Sequence, residues 1–263
     1  MMIRHPLGLR LDANKPAREQ LHEAARLGAR GVVIDATGDL APHRLGETGR
    51  RDLRRLVKSV DVALVALALP TRRPFDSPDQ IEERIRRADS AFAMAYELGT
   101  KIVLARAGAV PPEDEPTRRE PFAAALRDLA ARAEHRGVQL AIETGQEPAE
   151  PLHALLETIG SPALAASLNP AAALEVGIDP IASARSLAAW IIHAYANDAV
   201  HSPGSAVANP RGFGFPPGAL DWEEYLGALE EIGYRGFLTV WPAPDQPVDA
   251  QWNAITRRLD RIG

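Results

Sequence analysis

The chain has 263 residues and a formal net charge of −5, and its 25% charged and 46% hydrophobic residues are ordinary for a globular protein. The acidic balance argues against a general nucleic-acid binder, which is usually basic. The absence of cysteine excludes disulfides, thiolate zinc sites and cysteine nucleophiles, and it fits a reducing compartment. No apolar run reaches the ~18 residues of a membrane span, and the N-terminus is too polar for a secretory signal. We therefore expect a cytoplasmic protein without nucleic-acid or membrane partners.

Apolar runs of strand length alternate along the chain with amphipathic stretches of helix length. Strands are predicted at 7–11, 32–35, 62–69, 102–106, 138–143, 163–169, 190–196 and 236–241. Helices are predicted at about 17–28, 49–58, 78–98, 117–136, 148–159, 179–188, 221–232 and 248–261. Runs that are apolar on both faces suit buried parallel strands. The alternation predicts an α/β protein, a single (β/α)8 TIM barrel over residues 1–263.

The connections at the two ends of the predicted strands differ in length. Helix, glycine and strand follow one another closely at Gly28, Gly99, Gly137 and Gly233, which predicts short turns with a left-handed glycine. The segment 199–218 is long and rich in glycine and proline. A segment of this kind is usually a lid, a binding loop or disordered.

Four residues close predicted strands in the second half of the chain: Glu143, Asn169, Tyr195 and Trp241. In a barrel of parallel strands such positions line one mouth, where active sites are built. A divalent cation there is held by several charged oxygens or imidazoles. Because only Glu143 is a carboxylate, these four residues are a poor set of metal ligands.

The second half of the chain resembles the xylose isomerase-like TIM-barrel family of sugar isomerases and epimerases. The resemblance lies in four ordered segments: AIETGQEPAEPLHALLE at 141–157, SLNPAAALEVGIDPIASARSL at 167–187, IHAYANDA at 192–199 and GALDWEEYLGALEEIGYRGFLTVW at 218–241. It covers roughly residues 130 to 245, and the first half shares only the alternation of strands and helices. Such a fold does not specify a substrate, because function belongs to the site.

In that family one metal ion is held by Glu, Asp, His and Glu from strands five to eight, and both glutamates commonly serve as acid and base. The resemblance places Glu143 at the first position and Asn169, Tyr195 and Trp241 at the other three. We therefore expect no metal cofactor, with a weak Mn²⁺ or Mg²⁺ site at Glu143 as the alternative. Relatives often form dimers or tetramers, so the resemblance is also compatible with a homo-oligomer.

Glu143 is the candidate catalytic residue, since an unpaired carboxylate would be costly to bury in a barrel. The alternative is a structural ion pair with an arginine such as Arg106. Asn169 either binds a sugar hydroxyl or is a turn residue before Pro170. Asp35, which also closes a predicted strand, is expected to cap a turn.

The remaining candidates are substrate-binding residues. His193 and Tyr195 share one strand face and either hydrogen-bond a ligand or belong to the core. Trp241 either stacks on a sugar face or packs in the mouth. Asp198 is expected to hold the loop after strand seven. Arg211 either clamps an anionic ligand or is solvated.

Three hypotheses of function remain open. The first is a divergent barrel that has lost metal-dependent isomerase chemistry and binds a small carbohydrate or polyol, or is a non-catalytic relative. The second is an active isomerase or epimerase, either metal-free or recruiting His193, His201 or Asp198 as ligands. The third is an interaction protein whose mouth is plugged by Trp241 and the 199–218 segment. An open cavity lined by Glu143 and its neighbours at the strand ends would favour ligand binding. Whether the chain is an enzyme is left open.

Overall fold

Eight parallel strands close into a barrel in chain order in the computed structural model, which describes residues 5–71, 73–145, 147–198, 220–243 and 246–262. The last strand pairs with the first, so the predicted TIM barrel is confirmed. The strands are β1 (Leu7–Arg10), β2 (Gly31–Asp35), β3 (Ala63–Leu69), β4 (Ile102–Ala105), β5 (Gln139–Glu143), β6 (Leu164–Leu168), β7 (Ile191–Tyr195) and β8 (Leu238–Val240).

The helices lie between the strands and end within a few residues of the predicted bounds. They are α1 (Ala17–Leu27), α2 (Glu47–Ser59), α3 (Ile81–Leu98), α4 (Pro116–Arg136), α5 (Ala149–Ile159), α6 (Pro170–Glu175), α7 (Pro180–Ser186), α8 (Trp222–Glu231) and α9 (Val248–Ile262). Helix α6 and two short 3-10 turns, Gly38–Leu40 and Ala188–Trp190, were not predicted. Within the described ranges, none of the helices is both long and apolar enough to cross a membrane.

Glycine ends the helices where the sequence predicts it. Gly28 has φ +85°, and the N–H of the next residue, Ala29, donates to the carbonyl of Ala24 at 2.9 Å. Gly137 has φ +70° and ends α4 in the same way. The left-handed residue reverses the chain within two or three positions, which returns it directly to the next strand.

The hydrophobic core has two parts, one between barrel and helices and one inside the barrel. The inner part contains several alanines, among them Ala66, Ala68, Ala141 and Ala165. Small side chains on these strands leave interior volume for larger ones from other strands. That volume is filled by polar side chains near the carboxyl ends of the strands, where the candidate site lies.

Candidate functional site

Arg10 is the centre of the polar cluster at the barrel mouth. It is the last residue of β1, and its guanidinium bonds to the last residues of β2, β5 and β7. Nε donates to Asp35 Oδ1 at 3.0 Å, and Nη1 donates to Glu143 Oε1 at 3.2 Å and to Tyr195 Oη at 2.6 Å. Asp35, for which we predicted a turn cap, instead pairs with Arg10. The expectation was wrong because β1 and β2 pair side by side, which brings the two strand ends together.

Both oxygens of Glu143 accept hydrogen bonds. Oε1 accepts from Tyr195 Oη at 2.7 Å as well as from Arg10, and Oε2 accepts from Arg106 Nε at 3.4 Å. The ion pair with Arg106 that we considered is therefore present. Arg106 has 47% of its side chain exposed, whereas Arg10 has 6% exposed, so Arg10 is the buried partner.

Burial sets the protonation states of this cluster. Burial lowers the pKa of the Arg10 guanidinium, but attraction to Tyr195, Glu143 and Asp35 outweighs burial and raises that pKa above its ordinary value. Burial and the neighbouring Glu143 raise the pKa of Tyr195 well above 10, so its hydroxyl stays protonated and donates. Burial raises the pKa of Asp35 against the opposing effect of Arg10.

Trp241 covers the cluster. It follows β8, and its ring centroid lies 3.6 Å from Arg10 Cζ, a cation–π stack. The ring centroids of Trp241 and Tyr195 are 5.3 Å apart. The indole therefore packs in the mouth, where it excludes water from one face of the guanidinium.

His193 lies on the same strand face as Tyr195, and the two rings meet edge to face at 4.7 Å. Its Nδ1 lies 2.8 Å from Ser167 Oγ and its Nε2 lies 2.9 Å from Thr239 Oγ1, and all three residues are fully buried. Burial, together with the charge of Arg10, lowers the pKa of His193 to about 3. His193 is thus a neutral histidine of the barrel interior.

Asn169 begins α6. Its Oδ1 accepts from the backbone N–H of Ala172 at 3.2 Å and from Asn197 Nδ2 at 3.3 Å. An amide oxygen used in this way is a helix N-cap. The turn role considered for Asn169 is present in the form of this cap.

Asp198 lies at the end of the described segment after β7. Its Oδ1 accepts from the backbone N–H of Leu220 at 3.2 Å, and its Oδ2 lies 3.9 Å from Arg258 Nη1. These contacts join the end of the segment after β7 to Leu220 and to α9, whereas the loop that we expected Asp198 to hold lies outside the described residues. Arg211 and His201 lie outside the described residues, as does the whole of the 199–218 segment.

The sequence reasoning missed Arg10, although LGLRL contains a detectable signal. Leu9 and Leu11 belong to the core between barrel and helices, so Arg10, one position away, faces the interior. A single charge at the inward end of a buried strand needs a partner. A search for acidic residues at the ends of the other predicted strands would have identified Glu143 and Asp35 as candidate partners of Arg10.

Glu147 was also missed. It lies in the ETGQE motif, and its Oε2 accepts from the backbone N–H of Val110 at 2.7 Å. Burial raises the pKa of Glu147 to about 7. The carboxyl therefore connects the β4–α4 loop, which begins with Arg106, to the loop after β5.

Two cavities lie on the β8–β1–β2 side of the mouth, one on each side of the Asp12–Lys15 segment. One of about 270 Å³ is lined by Arg10, Asp35 and Trp241, and the other, of about 290 Å³, extends towards Thr37. A third cavity, of about 10 Å³, reaches Glu143 and has room for about one water molecule.

None of these three cavities is lined by Glu143, Asn169, His193 and Tyr195 together, as the open cavity that we considered would be. Those side chains are buried, with residue exposures of 7%, 3%, 0% and 0%. Within the described parts of the chain, no group of three or more His, Cys, Asp or Glu residues is arranged to hold a metal ion.

Comparison with solved structures finds the same fold in sugar-related proteins. A xylose isomerase domain protein from Planctomyces limnophilus is 23% identical, with 98% of this chain and 97% of that chain covered and a TM-score of 0.81. A D-psicose 3-epimerase from Clostridium cellulolyticum H10, solved with D-tagatose, is 14% identical over 98% of this chain and 99% of that chain, with a TM-score of 0.75. The 3-keto-D-glucoside 4-epimerase from E. coli is 14% identical over 98% and 100% of the two chains, with a TM-score of 0.73.

At these identities the likeness establishes the fold alone. A search of curated proteins found no match. A family model described as a xylose isomerase-like TIM barrel matches residues 21–261. The chain therefore belongs to the xylose isomerase-like TIM-barrel family.

Proposed function

We propose that this chain is a single-domain, metal-independent member of the family that binds a small carbohydrate or polyol and has lost the metal-dependent isomerase reaction. The observation that carries the proposal is the buried network of Arg10 with Glu143, Asp35 and Tyr195. Of the family's metal ligands this chain retains one carboxylate, Glu143. The guanidinium of Arg10 supplies positive charge beside it, where the family has a metal ion.

The donor groups do not fit a divalent cation. Both oxygens of Glu143 already accept from arginines, and the oxygen of Asn169 accepts from Ala172 and Asn197. Tyr195 is a protonated phenol, and an indole has no ligand atom for a hard cation. A cation at Glu143 would also be repelled by Arg10, so metal binding would require the network to break.

The same contacts engage Glu143 with groups of the chain itself. Its two oxygens accept from Arg10, Arg106 and Tyr195, so a substrate would have to compete with these partners to reach the carboxylate. Moving a proton between sugar carbons also requires a second acid or base, and Trp241 stands where the family's second glutamate is expected. Both points support the loss of isomerase chemistry.

One observation favours the alternative, an active metal-free enzyme. Arg10 donates to Tyr195, and Tyr195 donates to Glu143, so a fixed cation and a proton donor lie side by side. A guanidinium can stabilise an enediolate-like anion electrostatically. In this alternative Tyr195 would return the proton that Glu143 removes.

Binding and exchange measurements separate these possibilities. Titration calorimetry with D-fructose and myo-inositol, with and without EDTA, should show binding that does not depend on metal. Incubation with D-fructose in deuterated water should then leave the sugar unlabelled. Deuterium incorporation with EDTA present would support the metal-free enzyme. Binding that requires Mn²⁺, with Mn²⁺ retained stoichiometrically in native mass spectrometry, would overturn the proposal.

A further inference from the structure

Two glutamines make the same kind of contact, one with residues that follow β1 and the other with residues that follow β8. Gln20 is the fourth residue of α1. Its Oε1 accepts from the backbone N–H of Asp12 at 2.7 Å, and its Nε2 donates to the carbonyls of Asp12 and Lys15 at 2.9 and 3.0 Å. Three hydrogen bonds from one buried side chain fix the β1–α1 segment.

Gln251 repeats this arrangement at the fourth residue of α9. Its Oε1 accepts from the backbone N–H of Ala243 at 2.7 Å, and its Nε2 donates to the carbonyls of Ala243 and Gln246 at 3.1 and 3.2 Å. Each glutamine follows its first backbone partner at the same sequence separation of eight. Side chains from two different helices therefore fix two separate loops.

These two loops face each other across the cavity of about 270 Å³. Asp12 and Lys15 lie on one side and Ala243 and Gln246 on the other, with Arg10 and Trp241 between them at the ends of β1 and β8. A cavity whose walls are already fixed loses less conformational entropy when it takes a ligand. The glutamine contacts thus hold the described residues of both walls of this groove in place.

The chemistry of the groove favours a neutral ligand. Its charged side chains have both signs and are largely paired, Arg10 with Asp35 at 3.0 Å and Lys15 with Asp12 at 3.6 Å. Among the described residues that line the groove, no excess of positive charge is left to attract an anion. Glu23, also in the lining, shifts the balance towards negative charge.

Hydrogen-bonding capacity of both kinds remains in the groove. Nη2 of Arg10 has no partner among the described residues and remains a donor, and Asp35 Oδ2 remains an acceptor. Trp241 adds an apolar aromatic surface. Mixed donors and acceptors beside an aromatic ring suit a molecule with several hydroxyl groups and C–H faces.

We infer that the groove between the β1–α1 and β8–α9 loops is the binding site for a neutral polyhydroxylated molecule, the size of a monosaccharide or cyclitol. The inference rests on the proposed function, and it locates the ligand beside β1 and β8 instead of over Glu143 and Asn169. Gln20 and Gln251 are positioning residues for this site.

The test is titration calorimetry on the full chain with myo-inositol and D-fructose as neutral probes and D-gluconate as an anionic probe of similar size. Ala13→Trp adds an indole at an exposed residue that lines this groove and the neighbouring cavity of about 290 Å³, and it should weaken neutral-probe binding at least ~10-fold. Gln251→Glu keeps the shape but removes both donors, so the wall loosens and binding should weaken ~3- to 10-fold.

Gln139→Glu is the matched control. Gln139 begins β5, at the opposite end of the barrel, and its Nε2 donates to the carbonyl of Pro162 at 2.9 Å. This variant makes the same chemical change and should bind the probes as the wild type does.

Three other outcomes would overturn, respectively, the location of the site, the class of ligand and the proposed function. Neutral-probe binding that is unchanged in both Ala13→Trp and Gln251→Glu would place the ligand elsewhere, and the proposed function would stand. Preference for D-gluconate would overturn the ligand class. No binding of either neutral probe by the wild type would overturn the inference together with the proposed function.

Discussion

The guanidinium of Arg10 on β1 bonds to the carboxylate of Glu143 on β5, with 3.2 Å between Nη1 and Oε1. Strands one and five lie on opposite sides of an eight-stranded barrel, so this contact spans its mouth. The two residues are 133 positions apart in sequence. Because both side chains are buried, the loss of Arg10 leaves Glu143 with only the half-exposed Arg106 as a cationic partner, and the loss of Glu143 leaves Arg10 with only Asp35 as an anionic one.

The first prediction concerns the stability of this network. Arg10→Met keeps a long apolar side chain but leaves Glu143 and Asp35 without their shared buried cation, which should lower the free energy of unfolding by ~3–5 kcal/mol at pH 7. Urea denaturation measures the change. Arg106→Met is the control, because Arg106 contacts the same Glu143 but is about half exposed, and it should cost under ~1 kcal/mol. Equal losses in the two variants would contradict a special role for Arg10.

The second prediction concerns restoration of a metal site. Asn169→Asp, Tyr195→His and Trp241→Glu would supply the family's ligand types but should not produce manganese binding, because Arg10 still occupies Glu143. Adding Arg10→Ser should release Glu143. Millimolar Mn²⁺ should then raise the melting temperature of the fourfold variant, since a ligand that binds only the folded state stabilises it.

Melting curves with EDTA control for the fourfold variant's lower starting stability, to which the lost indole alone contributes ~3–5 kcal/mol. Adding Glu143→Gln to that variant should abolish the manganese effect. A manganese-dependent rise in the threefold variant, with Arg10 intact, would contradict the view that the guanidinium excludes the metal.

The third prediction concerns acid stability. Burial lowers the pKa of His193 to about 3 from 6.5, so between these pH values the unfolded chain binds a proton that the folded chain does not. The contribution to stability is therefore lost as pH falls from about 6.5 towards 3, by up to ~1.4 kcal/mol per pH unit.

The measurement is urea unfolding of wild type and His193→Gln across this range. The wild type should lose more stability than the variant on acidification. Replacement of the exposed His22 by Gln should leave the wild-type pH dependence unchanged. Parallel curves for wild type and His193→Gln would show that His193 does not control this loss.

The fourth prediction concerns Glu147, whose effect on stability changes with pH in the opposite direction to that of His193. Burial raises the pKa of Glu147 to about 7 from 4.5, so in this window the folded chain binds the extra proton. The stability contribution of Glu147 should therefore fall as pH rises from about 4.5 to 7. In Glu147→Gln the amide oxygen still accepts from Val110, but nothing titrates, so this fall should disappear from thermal melts. The exposed Glu150→Gln variant should retain it.

Much of the fold was predictable because its determinants are local in sequence. Hydrophobic periodicity separates strands from helices, and glycine after a helix selects the left-handed turn that Gly28 and Gly137 adopt. Asn169 and Pro170 show where local reasoning stopped short. We expected Asn169 either to bind a sugar hydroxyl or to be a turn residue before Pro170, although Asn at an N-cap followed by Pro at the first helical position also starts a helix, as α6 does.

The candidate site was only half predictable. The sequence by itself determined that Glu143, Tyr195 and Trp241 lie where the fifth, seventh and eighth strands end and meet at one mouth, since parallel strands place their carboxyl ends together. Only the tertiary structure decided that Arg10 reaches all three, because β1 meets β8 only when the barrel closes. A buried charge pairs with the groups that the closed barrel brings within hydrogen-bonding distance of it. Such groups are often far apart in sequence, so the sequence does not identify them.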